Sequence, residues 1–163
     1  MYSTSQQLKS LIGAVIFAFA GAVSAADYSA PPAKSAKVVE TSGIGAARQA
    51  IDKWDYEKAI ELLEGEAAKD PRNADVQNLL GYSNRKLKRY GLALSHYQKA
   101  LELQPKHRGA NNYLGHLYLE TGKLEKAQER LAVLDKACIF GCEEYSELQQ
   151  AIAAHKQQQL ADN

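Results

Sequence analysis

The sequence predicts an all-α protein: an α-solenoid of three helix–turn–helix repeats closed by a C-terminal capping helix. Two observations carry this. First, Tyr56, Ala59, Leu63 and Pro71 return 34 residues later as Tyr90, Ala93, Tyr97 and Pro105. Ala93 returns again as Ala127, and Leu80-Gly81 as Leu114-Gly115. A fixed period of that length marks stacked helical units, because each unit needs a neighbour to bury its apolar face. Second, beyond the third unit Tyr145, Leu148 and Ile152 recur at helical spacing, so a further helix has one apolar face.

The repeats fall at about residues 40–73, 74–107 and 108–141, within a domain spanning 40–158. The middle one is clearest. Asn73 suits an N-cap after the helix-stopping Pro71. The pattern predicts a first helix over Asp75–Leu87, a turn at Arg89-Tyr90-Gly91, and a second helix over Leu92–Gln104 ended by Pro105. Gly81, Ala93 and Ala100 are small residues for a close helix crossing, with Leu80, Tyr90, Tyr97 and Leu101 filling the space around them. The capping helix is expected over 143–156, its other face carrying Glu144, Glu147, Gln149 and Gln150. A polar, fraying tail follows at 159–163.

Leu80-Gly81, Ala93, Tyr97, Ala100 and Pro105 resemble the tetratricopeptide repeat signature, L-G…A-x3-F…A…P. The third unit resembles it through Leu114-Gly115, Tyr118, Gly122, Ala127 and Leu131. The first does so more weakly, through Ala46-Ala47, Tyr56, Ala59, Leu63 and Pro71. The large aromatic expected early in each first helix is replaced by Gly43, Gln77 and Asn111, and Asn84 stands where the family has Tyr. The third unit puts Leu134 where Ala is usual, and Ile139 where Pro would close it. The resemblance implies a groove lined by the first helices that holds another polypeptide. Carried over by register, its residues are Arg48 and Asp52, then Asn78, Tyr82, Arg85 and Lys86, then Asn112, His116 and Glu120. The family's clamp for C-terminal carboxylates would fall on Ile44, Arg48, Leu79, Gly109 and Tyr113, of which only Arg48 is basic, so that function is not supported.

The 163 residues are 45% hydrophobic and 24% charged, enough for one modest core. A net charge of +1 gives no field favouring nucleic acid or anionic membrane. Residues 1–25 read as a secretory signal peptide. Lys9 precedes the apolar run Leu11–Val23, and Ser24, Ala25 and Ala26 offer a cleavage site. The run is shorter than the about 20 residues a span needs, so no membrane segment is expected after cleavage. Residues 26–39, with Pro31-Pro32, read as a flexible linker. The expected location is periplasmic.

Export sends Cys138 and Cys142, the two cysteines, to an oxidising compartment. Gly141 can bend the chain so that they meet. A structural disulfide is the leading expectation, with a thiol-redox or metal-handling pair as the competing one. The spacing is not C-x-x-C, and no His lies near. His96 and His107 read as solvated, and His116 as a groove residue. Arg85-Lys86-Leu87-Lys88-Arg89 reads as a solvated helix end or as a docking patch for an acidic segment. Gly43-Ile44-Gly45 is too weak for a phosphate loop. No nucleotide, hydrolase or zinc-protease motif occurs. The expectation is a non-catalytic scaffold with a protein or peptide partner and no cofactor.

Overall fold

The computed structural model describes residues 43–161. The segments read as a signal peptide and a linker, and the last two residues of the expected tail, lie outside them. Seven helices follow one another: α1 (Gly43–Asp52), α2 (Tyr56–Lys69), α3 (Ala74–Lys86), α4 (Tyr90–Leu103), α5 (Arg108–Glu120), α6 (Leu124–Ala137) and α7 (Glu143–Ala161). No strand occurs among the described residues.

The helices pair as α1 with α2, α3 with α4, and α5 with α6, and α7 packs on both α5 and α6. Three apolar clusters lie along the stack. Ala47, Ala59, Leu63, Val76 and Leu80 form the first, Ala93, Tyr97, Leu114 and Leu117 the second, and Ala127, Leu134, Leu148 and Ile152 the third. Each cluster is closed only by the following first helix, as a stack of units requires.

The small residues stand where the period placed them. A Cβ on Gly81 would lie 2.6 Å from the Tyr97 ring, and one on Gly115 would lie 2.5 Å from Leu148. Glycine therefore lets α3 meet α4 and α5 meet α7 at close range. Leu148 stands 34 residues after Leu114, so α7 keeps the register of a fourth first helix.

Polar residues set the helix ends. Asn73 caps α3 through Val76 N at 3.1 Å, and Asp55 caps α2 through Lys58 N at 3.0 Å. Both donors would otherwise lack intrahelical partners.

Four local expectations need correction. The turn in the middle unit falls at 87–89, so Tyr90 opens α4 two residues early. Lys88 takes φ 57° there, which reverses the chain without the extra length. The capping helix runs on through Ala161, because Gln157-Gln-Gln-Leu continues it with good helix formers. His107 is buried and caps α5. Its Nδ1 accepts from Ala110 N at 3.1 Å, so Nε2 carries the proton and donates to Asp75 Oδ1 at 3.0 Å. His96 is half-buried, with Nδ1 2.9 Å from Gln77 Oε1.

Candidate functional site

The inner face of the stack is lined by α1, α3 and α5, and α7 adds a fourth wall. Two cavities open on it. One, of about 600 Å³, lies among Arg48, Asn78, Asn112, Tyr113, His107 and Glu147. The other, of about 580 Å³, lies among Tyr82, Arg85, Tyr113, His116, Glu147 and Gln150.

A ladder of tyrosines runs along the second. Tyr82 and Tyr113 lie 4.8 Å apart between ring centroids, and Tyr56 lies 6.2 Å from Tyr82 in an edge-on contact. The Arg85 guanidinium sits 5.6 Å from the Tyr82 centroid and 5.9 Å from that of Tyr113. It pairs with Glu120 at 2.5 Å. It also faces the buried Tyr97 hydroxyl, although neither Arg85 Nε nor Tyr97 Oη completes a well-formed hydrogen bond.

The electrostatics follow from this layering. Burial opposes the charge on Arg85, but Tyr97 and Glu120 beside it outweigh burial and hold its pKa above the usual value. Burial pushes the Tyr97 hydroxyl far above the ordinary tyrosine range, and does the same less strongly for Tyr82 and Tyr113. Burial also lowers the pKa of His116, and Arg85 lowers it further. Near neutral pH the groove centre therefore holds neutral rings around one fixed guanidinium.

The nine groove residues expected from register divide by what they can touch. Arg48, Asp52, Lys86 and Glu120 are exposed, and Tyr82 and His116 are half-exposed. Lys86 Nζ lies 5.7 Å from the Tyr82 centroid. Arg85 is placed in the groove, but with its side chain 9% exposed it supports the tyrosines from beneath. Asn78 and Asn112 are buried at the groove floor. Asn112 Nδ2 donates to Glu147 Oε2 at 2.7 Å, tying α5 to α7.

Sequence reasoning missed Glu147, Gln150, Ala151 and Ala154 as groove residues, and gave Tyr113 only as a position of the unsupported carboxylate clamp. The signal was present for three of them. Glu147, Gln150 and Ala154 stand 34 residues after Tyr113, His116 and Glu120, and extending the period into the capping helix would have found them.

Cys138 and Cys142 are joined by a disulfide, with Cα atoms 5.6 Å apart; neither lines a groove cavity, although Glu143 and Glu144 just after the bridge line the first. Gly141 turns the loop at φ 82°. Among the described residues, no three His, Cys, Asp or Glu side chains gather as metal ligands.

Two family models described as tetratricopeptide repeat match, one over residues 44–108 and one over 85–137. The chain belongs to the tetratricopeptide repeat family. Solved structures share its fold. The type III secretion translocator chaperone SycD of Yersinia enterocolitica superposes with a TM-score of 0.63 at 17% identity, over 72% of this chain and 83% of that one. The first tetratricopeptide domain of Spaghetti, solved with an HSP90 peptide, gives 0.59 at 19% identity, over 68% of this chain and 90% of that one. The rhomboid protease GluP of Bacillus subtilis is 32% identical over 81 residues, 50% of this chain but 16% of that protein. That match therefore covers a small part of GluP. No helix among the described tetratricopeptide residues is long and apolar enough to cross a membrane.

Proposed function

We propose that this chain is a non-catalytic adaptor that captures an extended polypeptide along α1, α3, α5 and α7, and that it works in the cell envelope after export. The observation that carries the capture is the half-exposed Tyr82–Tyr113 pair, fixed over Arg85 in an open channel. Rigid aromatic faces bury much area on binding while losing little side-chain entropy. Asn78 Oδ1 and Asn112 Oδ1, buried beside the adjoining cavity without hydrogen-bond partners, are acceptors that a small side-chain rotation would offer to a bound backbone. Relatives of this fold support the reading: SycD has been solved with a peptide of the translocator YopD, and the Spaghetti domain with an HSP90 peptide.

The envelope assignment is supported by the apolar run Leu11–Val23 with its small-residue flank, and by a disulfide suited to an oxidising compartment.

The test is crosslinking capture from the envelope fraction. Tyr82→Ala with His116→Ala should weaken retention of the partner by about 2 kcal/mol. Gln98→Ala with Glu129→Ala, on the outer second helices, should leave it unchanged. Arg85 is spared because its loss would unseat the tyrosines. Equal capture by the groove variant, with unchanged helicity, would place the partner elsewhere.

A further inference from the structure

The two most exposed large apolar side chains among the described residues are neighbours. Phe140 is 100% exposed and Ile139 84% exposed. They form the tip of the loop that the Cys138–Cys142 disulfide closes. A tip held in one shape loses little conformational freedom on docking. Aromatic side chains standing clear of the surface are the usual anchors of protein contacts.

The opposite edge of the molecule carries a matching cavity. Tyr90, Gly91 and Leu94 of α4 and Leu117 and Tyr118 of α5, with Thr121 and Lys123, enclose about 160 Å³. The helices alternate in direction, so every connection from a second helix to the next unit lies at one edge. Every turn within a unit lies at the other. The loop and the cavity are therefore separated by one helix length, about 20 Å.

Their charges are complementary as well. Asp135, Glu143 and Glu144 flank the loop, with Lys136 as the one cation of the adjoining turns, and Glu144 is shared with Arg108 at 3.8 Å. Lys88, Arg89, Lys123 and Lys126 flank the cavity and outnumber Glu125 and Glu120, the latter paired with Arg85. Arg89 reaches Glu57 at 3.6 Å, and Lys126 Nζ lies 5.7 Å from the Tyr118 ring centroid. The basic run that ends at Arg89 thus borders the socket for an acidic-flanked loop.

We propose that Phe140 and Ile139 of one copy insert into the Tyr90–Leu94–Leu117–Tyr118 cavity of a second copy. The two surfaces differ and lie at opposite edges, so the contact is head-to-tail and leaves a free knob and a free socket at the ends. Self-association would then grow by addition rather than close at a dimer. An anionic membrane surface is a poorer occupant for the loop, because the acidic flank would be repelled.

The experiment is sedimentation velocity on the oxidised chain recovered from an exporting host, over a series of concentrations. Wild type should gain mass with concentration and pass beyond the dimer, and added salt should reverse the gain. Phe140→Asp removes the knob. Gly91→Phe fills the socket mouth, where an added Cβ meets nothing within 4 Å. Each variant alone should stay monomeric, and mixed one to one they should form a heterodimer that grows no further. Circular dichroism checks that both remain helical. Phe140→Ser and Gly91→Leu serve as second variants if either loses helicity. A wild type monomeric at every concentration overturns the proposal. So does association unaffected by either variant, or a mixture that fails to pair. Phe140-dependent binding to vesicles containing phosphatidylglycerol, without self-association, overturns it too. Partner capture through the groove should be unchanged in both variants, so the two functional readings fail independently.

Discussion

Trp54 and Lys88 occupy the same place in successive units and share a left-handed backbone, with φ of 66° and 57°. The third unit has Gly122 there, at φ 69°. Each residue closes a Schellman turn. The residue after it donates to the carbonyl five back, as Asp55 N to Ala50 O, Arg89 N to Asn84 O and Lys123 N to Tyr118 O. Only the glycine meets this conformation without a side-chain penalty.

Lys88→Gly should therefore stabilise the protein by up to about 1 kcal/mol, the strain relieved less the backbone entropy that glycine adds to the unfolded chain. Urea unfolding followed by circular dichroism measures it. A lower midpoint would mean that the Lys88 side chain contributes more than its backbone costs.

Gly81→Ala should destabilise by about 1–3 kcal/mol, because the new methyl would lie 2.6 Å from a Tyr97 ring that is wholly buried. Gly91→Ala, in open space, is the control and should be neutral or stabilising. Equal denaturation midpoints for Gly81→Ala and wild type would show that α3 and α4 separate at little cost.

The period made most of this readable. It located Gly81, Ala93 and Ala100 at a helix crossing and Asn73 as a cap, because packing constraints repeat with the unit. It missed the polar ties. Gln77 and Asn111, standing where the family has aromatics, bind across to His96 and Arg130 on the paired helix. A hydrogen bond to the paired helix stands there in place of a buried ring. In the groove, Arg85 was legible as a lining residue, but not as the support beneath Tyr82 and Tyr113. That role depends on which atoms burial hides.

Stability should fall as the solution is acidified below about pH 6.5, the ordinary histidine value. Burial lowers the pKa of His96, helped by Lys99, and of His116, helped by Arg85. The unfolded chain then binds protons that the folded one resists, so stability rises with pH through that window and levels off above it. Unfolding curves between pH 5 and 8 test this, with His96→Gln plus His116→Gln expected to flatten the profile. An unchanged slope in the double variant would assign the dependence to other groups.

Intact mass of the exported chain should rise by two hydrogens on reduction, and its N-terminus should read Ala26. Cys138→Ser with Cys142→Ser should cost about 2 kcal/mol by the chain-entropy relation for so short a loop. It should leave groove capture intact. Recovery of Met1 from the membrane fraction would remove the cleavage. Loss of partner capture in the double-serine variant would favour redox or metal handling.

Burial is unequal along the stack. α1 buries only Ala47 and Ala50, whereas α3 buries eight residues from Val76 to Asn84. In a chain whose units touch only their neighbours, that difference sets the order in which amides meet solvent. Hydrogen exchange should be slowest in α3 and faster in α1, α2, α6 and α7, which bury two residues each. The α1–α2 pair would then open and close many times for each global unfolding. A partner that spans Arg48 and His116 would arrest that opening, and its arrival would be visible as slowed exchange at one end of the molecule before any contact is mapped.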